Sequence, residues 1–291
     1  ARYEGLFVDV EDFTTLRDQF DTDGDGEADT RNDVEGGTLT YGDVAFNVGV
    51  VFAVSDPVDV FASFEQGFSV SEVGRVLRST AAASVEELDP EAKTVNSFET
   101  GLRLDTDRVS ATATGYYTTS DLGSSFGSNL EIVRSPERIY GVELTGDVQV
   151  ADPVAVGGSF SWLRGKSDPD DDGSFGTRLP GQRIPPEKAT GYVEVTLLDG
   201  WTSRIQAMYS GERDVFDDTA PFGQGDVSPY AVFDLSSRIE VGTGTLQVGI
   251  ENLFDNYYFP VRSQYPGGNF GGDSYTPARG RNATLSYQVT W

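Results

Sequence analysis

Polar and apolar residues alternate with a period of two along most of this chain, as expected of strands whose two faces meet different surroundings. After Gly280, RNATLSYQVTW places Ala283, Leu285, Tyr287, Val289 and Trp291 on one face. Thr284, Ser286, Gln288 and Thr290 fall on the other. In VSATATGYYT, Val109, Ala111, Ala113, Gly115 and Tyr117 oppose Ser110, Thr112, Thr114 and Tyr116. YGVELTGDVQV sets Tyr140, Val142, Leu144, Val148 and Val150 against Glu143, Thr145, Asp147 and Gln149. AVFDLSSRIEV sets Phe233, Leu235, Ile239 and Val241 against Asp234, Ser236, Arg238 and Glu240.

The pattern predicts about twelve strands, at 2–10, 40–54, 58–68, 95–105, 108–120, 138–150, 153–165, 187–198, 201–212, 230–241, 244–252 and 280–291. Many exceed the ordinary globular strand of about five to six residues. A tilted strand of about nine to eleven residues crosses a bilayer. The connections alternate in length. Short ones fall at 55–59, 105–108, 151–153, 198–200 and 242–244, and long ones at 11–37, 69–94, 121–137, 166–186, 213–229 and 253–279. Tight turns at one end and long loops at the other are the habit of outer-membrane barrels.

A soluble sandwich also alternates, with its apolar face buried against a second sheet. Strand length, loop asymmetry and the aromatic ending favour the barrel, whose apolar face meets lipid and whose polar face meets a wet lumen. Hydrocarbon leaves no partner for a free backbone group, so a membrane sheet must close on itself. Twelve strands can close alone or form part of a larger ring.

Composition narrows the function classes. Of 291 residues, 47 are acidic and 21 basic, a net charge of −26, so nucleic-acid binding through phosphates is not expected. Aromatics at 12% and apolar residues at 37% are too many for a disordered acidic chain. With no Cys and no His, disulfides, Cys/His zinc sites and Ser-His-Asp or Cys-His catalysis are excluded. No apolar run is long enough for a spanning helix. The opening ARYEGLFVDV lacks the basic start and apolar stretch of a signal peptide. The many carboxylates show no cleft context for glycosidase-type chemistry, and the chain is not expected to be an enzyme.

Several stretches, in order, resemble the TonB-dependent outer-membrane receptors. These are VFASFEQGFSVSEVG (60–74), VNSFETGLRLD (95–105), ERIYGVELTGDVQV (137–150), GSFSWLRGKSD (158–168), PGQRIPPEKATGYVEV (180–195), ENLFDNYY (251–258) and the closing GRNATLSYQVTW. The resemblance implies a transmembrane antiparallel β-barrel of 22 strands preceded by a plug domain. Residues 1–291 would be its C-terminal portion, holding the last twelve strands, with no plug and no energy-coupling box. Residues 11–37 then form an acidic extracellular loop. The implied location is the bacterial outer membrane. The implied role is energy-coupled uptake of a scarce nutrient, with a ferric siderophore as the expected cargo. Cobalamin, haem or glycan cargo remain alternatives within the family. A self-contained twelve-stranded pore, or a calcium-dependent structural or adhesion barrel, is the alternative outside it. The implied partners are membrane lipids and lipopolysaccharide, the N-terminal plug and remaining strands, the inner-membrane TonB complex acting through the plug, the barrel-assembly machinery, and a small metal chelate.

DTDGDGEADTRND (21–33) spells a calcium loop, because alternate acids offer hard oxygen ligands and glycine allows a tight wrap. Asp21, Asp23, Asp25, Asp29 and Asp33 are the candidate ligands for Ca2+, resembling a thrombospondin type 3 repeat more than an EF-hand, whose twelfth-position Glu is Asn32 here. A solvated acidic loop is the other interpretation. DPDDDG (168–173) is a poorer copy. No organic cofactor is expected. Loop arginines offset the charge of anionic chelates, and loop aromatics supply contact surface. The candidates are Arg178, Phe216, Phe222, Tyr257, Arg262 and Tyr265, alongside Phe175, Tyr258, Phe270 and Tyr275; loop packing or an interfacial girdle is the favoured account of any single one. The resemblance assigns Tyr287, Val289 and Trp291 to the signal read by the barrel-assembly machinery.

Overall fold

A computed structural model describes residues 1–15, 33–69, 74, 77, 83–87, 93–121, 125–126, 132–133, 135–181, 183–213, 226–265 and 276–289. The strands in chain order are β1 (Arg2–Val10), β2 (Phe13–Thr14), β3 (Asp33–Val34), β4 (Gly37–Ala45), β5 (Asn47–Ser55) and β6 (Val58–Ser69). They continue with β7 (Lys93–Asp105), β8 (Val109–Ser120), β9 (Ser125–Phe126), β10 (Ile132–Val133), β11 (Glu137–Ala151) and β12 (Val154–Ser167). The last are β13 (Thr177–Arg178), β14 (Lys188–Leu198), β15 (Trp201–Ser210), β16 (Tyr230–Val241), β17 (Gly244–Glu251) and β18 (Asn282–Val289).

One twelve-stranded sheet dominates. It runs from β5 through β6, β7, β8, β11, β12, β14, β15, β16 and β17 to β18, with β13 added beside the end of β12. Every pairing in it is antiparallel. Neighbouring strands are sequence neighbours joined by alternating tight turns and long loops. Gly200 and Gly242 occupy two of the tight turns at φ +75° and +62°, a region that glycine enters without a Cβ penalty.

The expected strands correspond to observed ones except at 40–54, which is two strands. Its first half, β4, pairs with β1 from Arg2↔Ala45 to Val10↔Gly37. Its second half, β5, pairs with β6. The break is at Phe46, where Gln66 of β6 takes both backbone groups. The Gln66 N–H donates to the Phe46 carbonyl at 2.8 Å, and the Phe46 N–H donates to Gln66 Oε1 at 3.2 Å. Gln66 Nε2 also donates to Asn96 Oδ1 at 2.7 Å, which anchors the junction.

Register sorts the side chains cleanly. One row across the sheet is Val60↔Leu102↔Ala113↔Leu144↔Phe160↔Ala189↔Tyr209↔Ala231. A row on the other face is Asp147↔Gly157↔Tyr192↔Gln206↔Asp234. The apolar face is uncovered: Val50, Phe98, Leu102 and Leu285 are each at least half exposed. Among the described residues, most buried apolar side chains lie instead beyond the sheet, at the long-loop end, with Val232 of β16 the exception within it. Val34, Leu39, Tyr41 and Val85 form one small core against Phe68, and Leu179, Ile184, Val227 and Tyr265 are buried among the other loops. A sheet this long with a bare apolar face is stable where the surrounding medium is itself apolar.

Candidate functional site

The polar face is organised near the short-turn end. The Tyr192 hydroxyl donates to Asp147 Oδ1 across β12. It can do so because Gly157 stands between them, and a Cβ there would collide with both side chains. Arg204 donates to Glu194 at 2.9 Å and lies with its guanidinium carbon 4.0 Å from the centre of the Tyr192 ring. Beside it is a groove of about 510 Å³ lined by Arg204, Arg238, Gln247, Thr284 and Ser286. This face carries charge, amide and hydroxyl groups ready for another polar surface or water.

At the long-loop end, part of the connection between β12 and β14 folds onto the same polar face. Leu179 and Ile184 pack where a Cβ on Gly165 would be, each 2.7 Å from that position. Arg183 donates to both oxygens of Glu137 at 3.1 and 2.6 Å, and Lys93 Nζ lies 3.7 Å from the same carboxylate. Glu137 is 3% exposed, so this ion cluster is held in a partly dry setting and pins the loop to β7 and β11. Asp168 is also buried, and its carboxylate accepts the Asp172 and Gly173 N–H groups at 3.3 and 2.7 Å. The DPDDDG segment thus uses its first acid to close its own turn. Among the described residues there is no group of three or more His, Cys, Asp or Glu side chains placed to hold a metal.

Two further loops lock onto that one. The Tyr265 hydroxyl donates to the Gly181 carbonyl at 2.8 Å, and Arg213 Nη2 donates to the Leu179 carbonyl at 2.6 Å. Arg213 and Val227 exchange backbone hydrogen bonds at 3.0 and 2.9 Å. Gln264 accepts from the Ser228 N–H at 2.7 Å and donates to the Phe259 carbonyl at 2.9 Å. Burial raises the Tyr265 pKa, opposed by the Arg213 charge. Burial lowers that of Arg213, with Arg164 and Arg178 adding to the depression.

The ENLFDNYY stretch turns on Asn252, which is buried with φ +50°. Its side chain donates to the carbonyls of Asn256 and Arg279 and accepts the Asn256 N–H. Asp255 Oδ1 accepts the Arg281 N–H at 2.7 Å. The turn sends Phe254 to Phe233 on the apolar face, and Tyr258 to Tyr230 on the polar face, with ring centres 4.5 Å apart. Burial raises the Tyr258 pKa, and Tyr230 adds to this. Around the stacked pair is an open pocket of about 700 Å³ lined by Asp226, Tyr230, Asn256, Tyr257, Tyr258 and Gln264.

The residues singled out from the sequence fall in different places. Tyr257 lines this pocket and is 78% exposed. Arg262 is exposed on the 3-10 turn Val261–Gln264. Tyr265 is 7% exposed and holds the loop layer together. Arg178 pairs with Lys166 and shares the apolar-face parity, so it points away from Tyr257 and Tyr258. Phe175 lies 4.5 Å from the Arg138 guanidinium on that side. Asp33 accepts the Thr14 hydroxyl at 2.7 Å in the β2–β3 stem. Tyr287 and Val289 lie on the apolar face of β18, opposite Leu246 and Gly244, and Tyr287 donates to the Val241 carbonyl at 2.8 Å. Asp21, Asp23, Asp25, Asp29, Phe216, Phe222, Phe270, Tyr275 and Trp291 lie outside the described residues. Tyr230, Asn256 and the Glu137–Arg183 clamp were not singled out. Tyr230 has a sequence signal in its polar-face parity at a strand end, but the clamp has none.

Comparison with known proteins follows the same lines. Residues 14–253 match the family model described as "TonB dependent receptor-like, beta-barrel". The rhizobactin receptor of Rhizobium meliloti (strain 1021) is 27% identical over 100% of this chain and 40% of its own length. The ferric aerobactin receptor of Klebsiella pneumoniae is 28% identical over 91% of this chain and 38% of its own. Among solved structures, the copper transporter OprC superposes with a TM-score of 0.69 at 19% identity, covering 88% of this chain and 40% of that one. The chain thus spans about 40% of the length of the proteins it matches.

Proposed function

The chain belongs to the TonB-dependent receptor β-barrel family of the outer membrane, and from that premise we propose that it forms the C-terminal wall and loops of a receptor for a ferric siderophore. The observation that carries the cargo class is the similarity to a rhizobactin receptor along all of the chain and to a ferric aerobactin receptor along nine-tenths of it. Likeness to a copper transporter at 19% identity supports the fold alone.

In this role the apolar face meets lipid and the polar face meets the lumen. Among the described residues β5 and β18 have a neighbouring strand on one side only, and hydrocarbon does not tolerate an open edge, so further barrel strands close the ring. The Arg204–Arg238 groove supplies a wall for a plug domain, whose rearrangement the inner-membrane TonB complex drives. Tyr230, Tyr257 and Tyr258 at the mouth offer flat, partly polar surface to an incoming chelate. The chain's part is binding and passage, with no bond made or broken in the cargo.

The test is uptake by a host lacking its own siderophore receptors and expressing the complete receptor that contains this chain. Radiolabelled iron is supplied as rhizobactin, as aerobactin or as a simple iron salt, with copper as a fourth arm. Energy-dependent accumulation from a siderophore arm is expected. Uptake of copper alone, or of no ferric chelate, contradicts the proposal.

A further inference from the structure

β8 presents a single chemistry to the lumen. Ser110, Thr112, Thr114, Tyr116, Thr118 and Ser120 share the polar face, so every inward residue of the strand carries a hydroxyl. The column covers about 34 Å at roughly 3.4 Å per residue, longer than the apolar band of about 25 Å on such barrels. Two inward rings here are laid against the wall. Phe61 lies over Gly101 and Tyr116 over Gly141, in the space that a Cβ on either glycine would need. Among the described residues, only the Thr118 hydroxyl of this column has a hydrogen-bond partner in the protein, Ser97 Oγ at 3.1 Å. Ser120 is 5% exposed, and its Oγ has no partner. An enclosed hydroxyl without a partner in the chain is satisfied by water.

The flanking strands set the charge. Glu99, Arg103 and Asp105 of β7 and Glu143 and Asp147 of β11 have the same inward parity. The Tyr192 hydroxyl engages Asp147, and the Arg103 guanidinium carbon lies 5.9 Å from the Phe61 ring centre. Among the described residues Glu99, Asp105 and Glu143 form no ion pair. Carboxylates left without a counter-charge keep their charge only in water.

We infer that β8 and its two neighbours wall a water-filled track through the barrel that admits small hydrated cations and turns away anions. Hydroxyls both donate and accept, so they hold water, and a passing ion with its shell, without gripping either. Carboxylates along a cleft with low-dielectric walls concentrate cations there. The groove at Arg204 and Arg238 has cations in its wall, so the two sectors of one sheet suit different contents. The inference rests on the barrel placement and is independent of the cargo.

Thiol labelling of the complete receptor in outer-membrane vesicles tests it, with any cysteine elsewhere replaced. Thr112→Cys and Thr114→Cys place reporters at mid-column. Each is treated with methanethiosulfonates of similar size that carry a trimethylammonium, a sulfonate or no charge. The neutral reagent should reach both sites, and the cationic one should outpace the anionic. Glu99→Gln, Asp105→Asn and Glu143→Gln together should cut the cation-to-anion rate ratio by about tenfold or more, with the neutral rate unchanged as the check on fold. Glu143→Gln alone should move the ratio in the same direction. No reaction with the neutral reagent would overturn the water-filled track, and a ratio unmoved by these variants would overturn its preference for cations. Failure of siderophore uptake would leave both readouts as they are.

Discussion

Arg183 grips both carboxylate oxygens of Glu137 at 3.1 and 2.6 Å, joining residues 46 apart in sequence. Glu137 opens β11, and Arg183 sits in the loop that folds into the barrel mouth. Bidentate geometry and near-complete burial of the carboxylate make this stronger than a surface pair. Glu137→Gln keeps the side-chain shape but removes the charge that Arg183 and Lys93 share. Local opening of residues 177–187 should become easier by about 1–3 kcal/mol. Hydrogen exchange of the complete receptor checks this through faster exchange confined to that loop and the first residues of β7 and β11.

Gly181 and Tyr265 make a second lock. A Cβ on Gly181 would lie 2.5 Å from the Tyr265 ring, so Gly181→Ala should displace the tyrosine and cost about 1–3 kcal/mol. Tyr265→Phe loses only the hydrogen bond to the Gly181 carbonyl, about 1 kcal/mol. Limited proteolysis of the loop layer should rank wild type, Tyr265→Phe and Gly181→Ala in order of rising cleavage.

Leu144 and Thr145 are adjacent on β11 but face opposite ways. Leu144 pairs with Ala113 and Phe160 on the lipid side, and Thr145 with Thr112 and Ser159 on the lumen side. Leu144→Arg should lower folding stability in lipid vesicles by about 2–4 kcal/mol, whereas Thr145→Arg should cost far less. Urea titration of vesicle-inserted receptor, read by mobility on cold gels, gives both values.

The acid spacing at Asp21, Asp23, Asp25, Asp29 and Asp33 predicts Ca2+ binding in the 11–37 loop. That segment carries ten acids and two bases, so a cation there relieves repulsion. Titration calorimetry should show a saturable heat in wild type that is lost in Asp23→Asn/Asp25→Asn. Equal heats in both would exclude a specific site.

The long strands were legible because period two is a local property: Val154, Val156, Phe160 and Trp162 announce their face without reference to any neighbour. The break at Phe46 was not, because residues 40–54 alternate straight through it. At the break, Gln66 from another strand takes both backbone groups of Phe46. The loop layer was illegible for the same reason. Tyr265 reads as a free loop aromatic until Gly181, 84 positions away, is seen to hold it. Arg178 reads as a cargo-facing cation until its pairing with Lys166 assigns it the outward parity. ENLFDNYY, by contrast, was visible as a motif, and its Asn252 turn explains why its two aromatic ends diverge.

The central claim is that one face of this sheet meets lipid and the other a wet lumen, with the boundary just past Trp162. The chain contains no cysteine, so, once any cysteine elsewhere in the complete receptor is replaced, single cysteines at successive positions from Val154 to Lys166 can each carry a nitroxide label in the membrane-inserted receptor. Accessibility to oxygen and to a polar nickel chelate then reads the surroundings of each site. Labels at 154, 156, 160 and 162 should be oxygen-accessible and shielded from nickel. Those at 155, 159 and 161 should not, and the outward labels at 164 and 166 should turn nickel-accessible. Uniform accessibility along β12, or nickel access at both 156 and 160, would contradict the account.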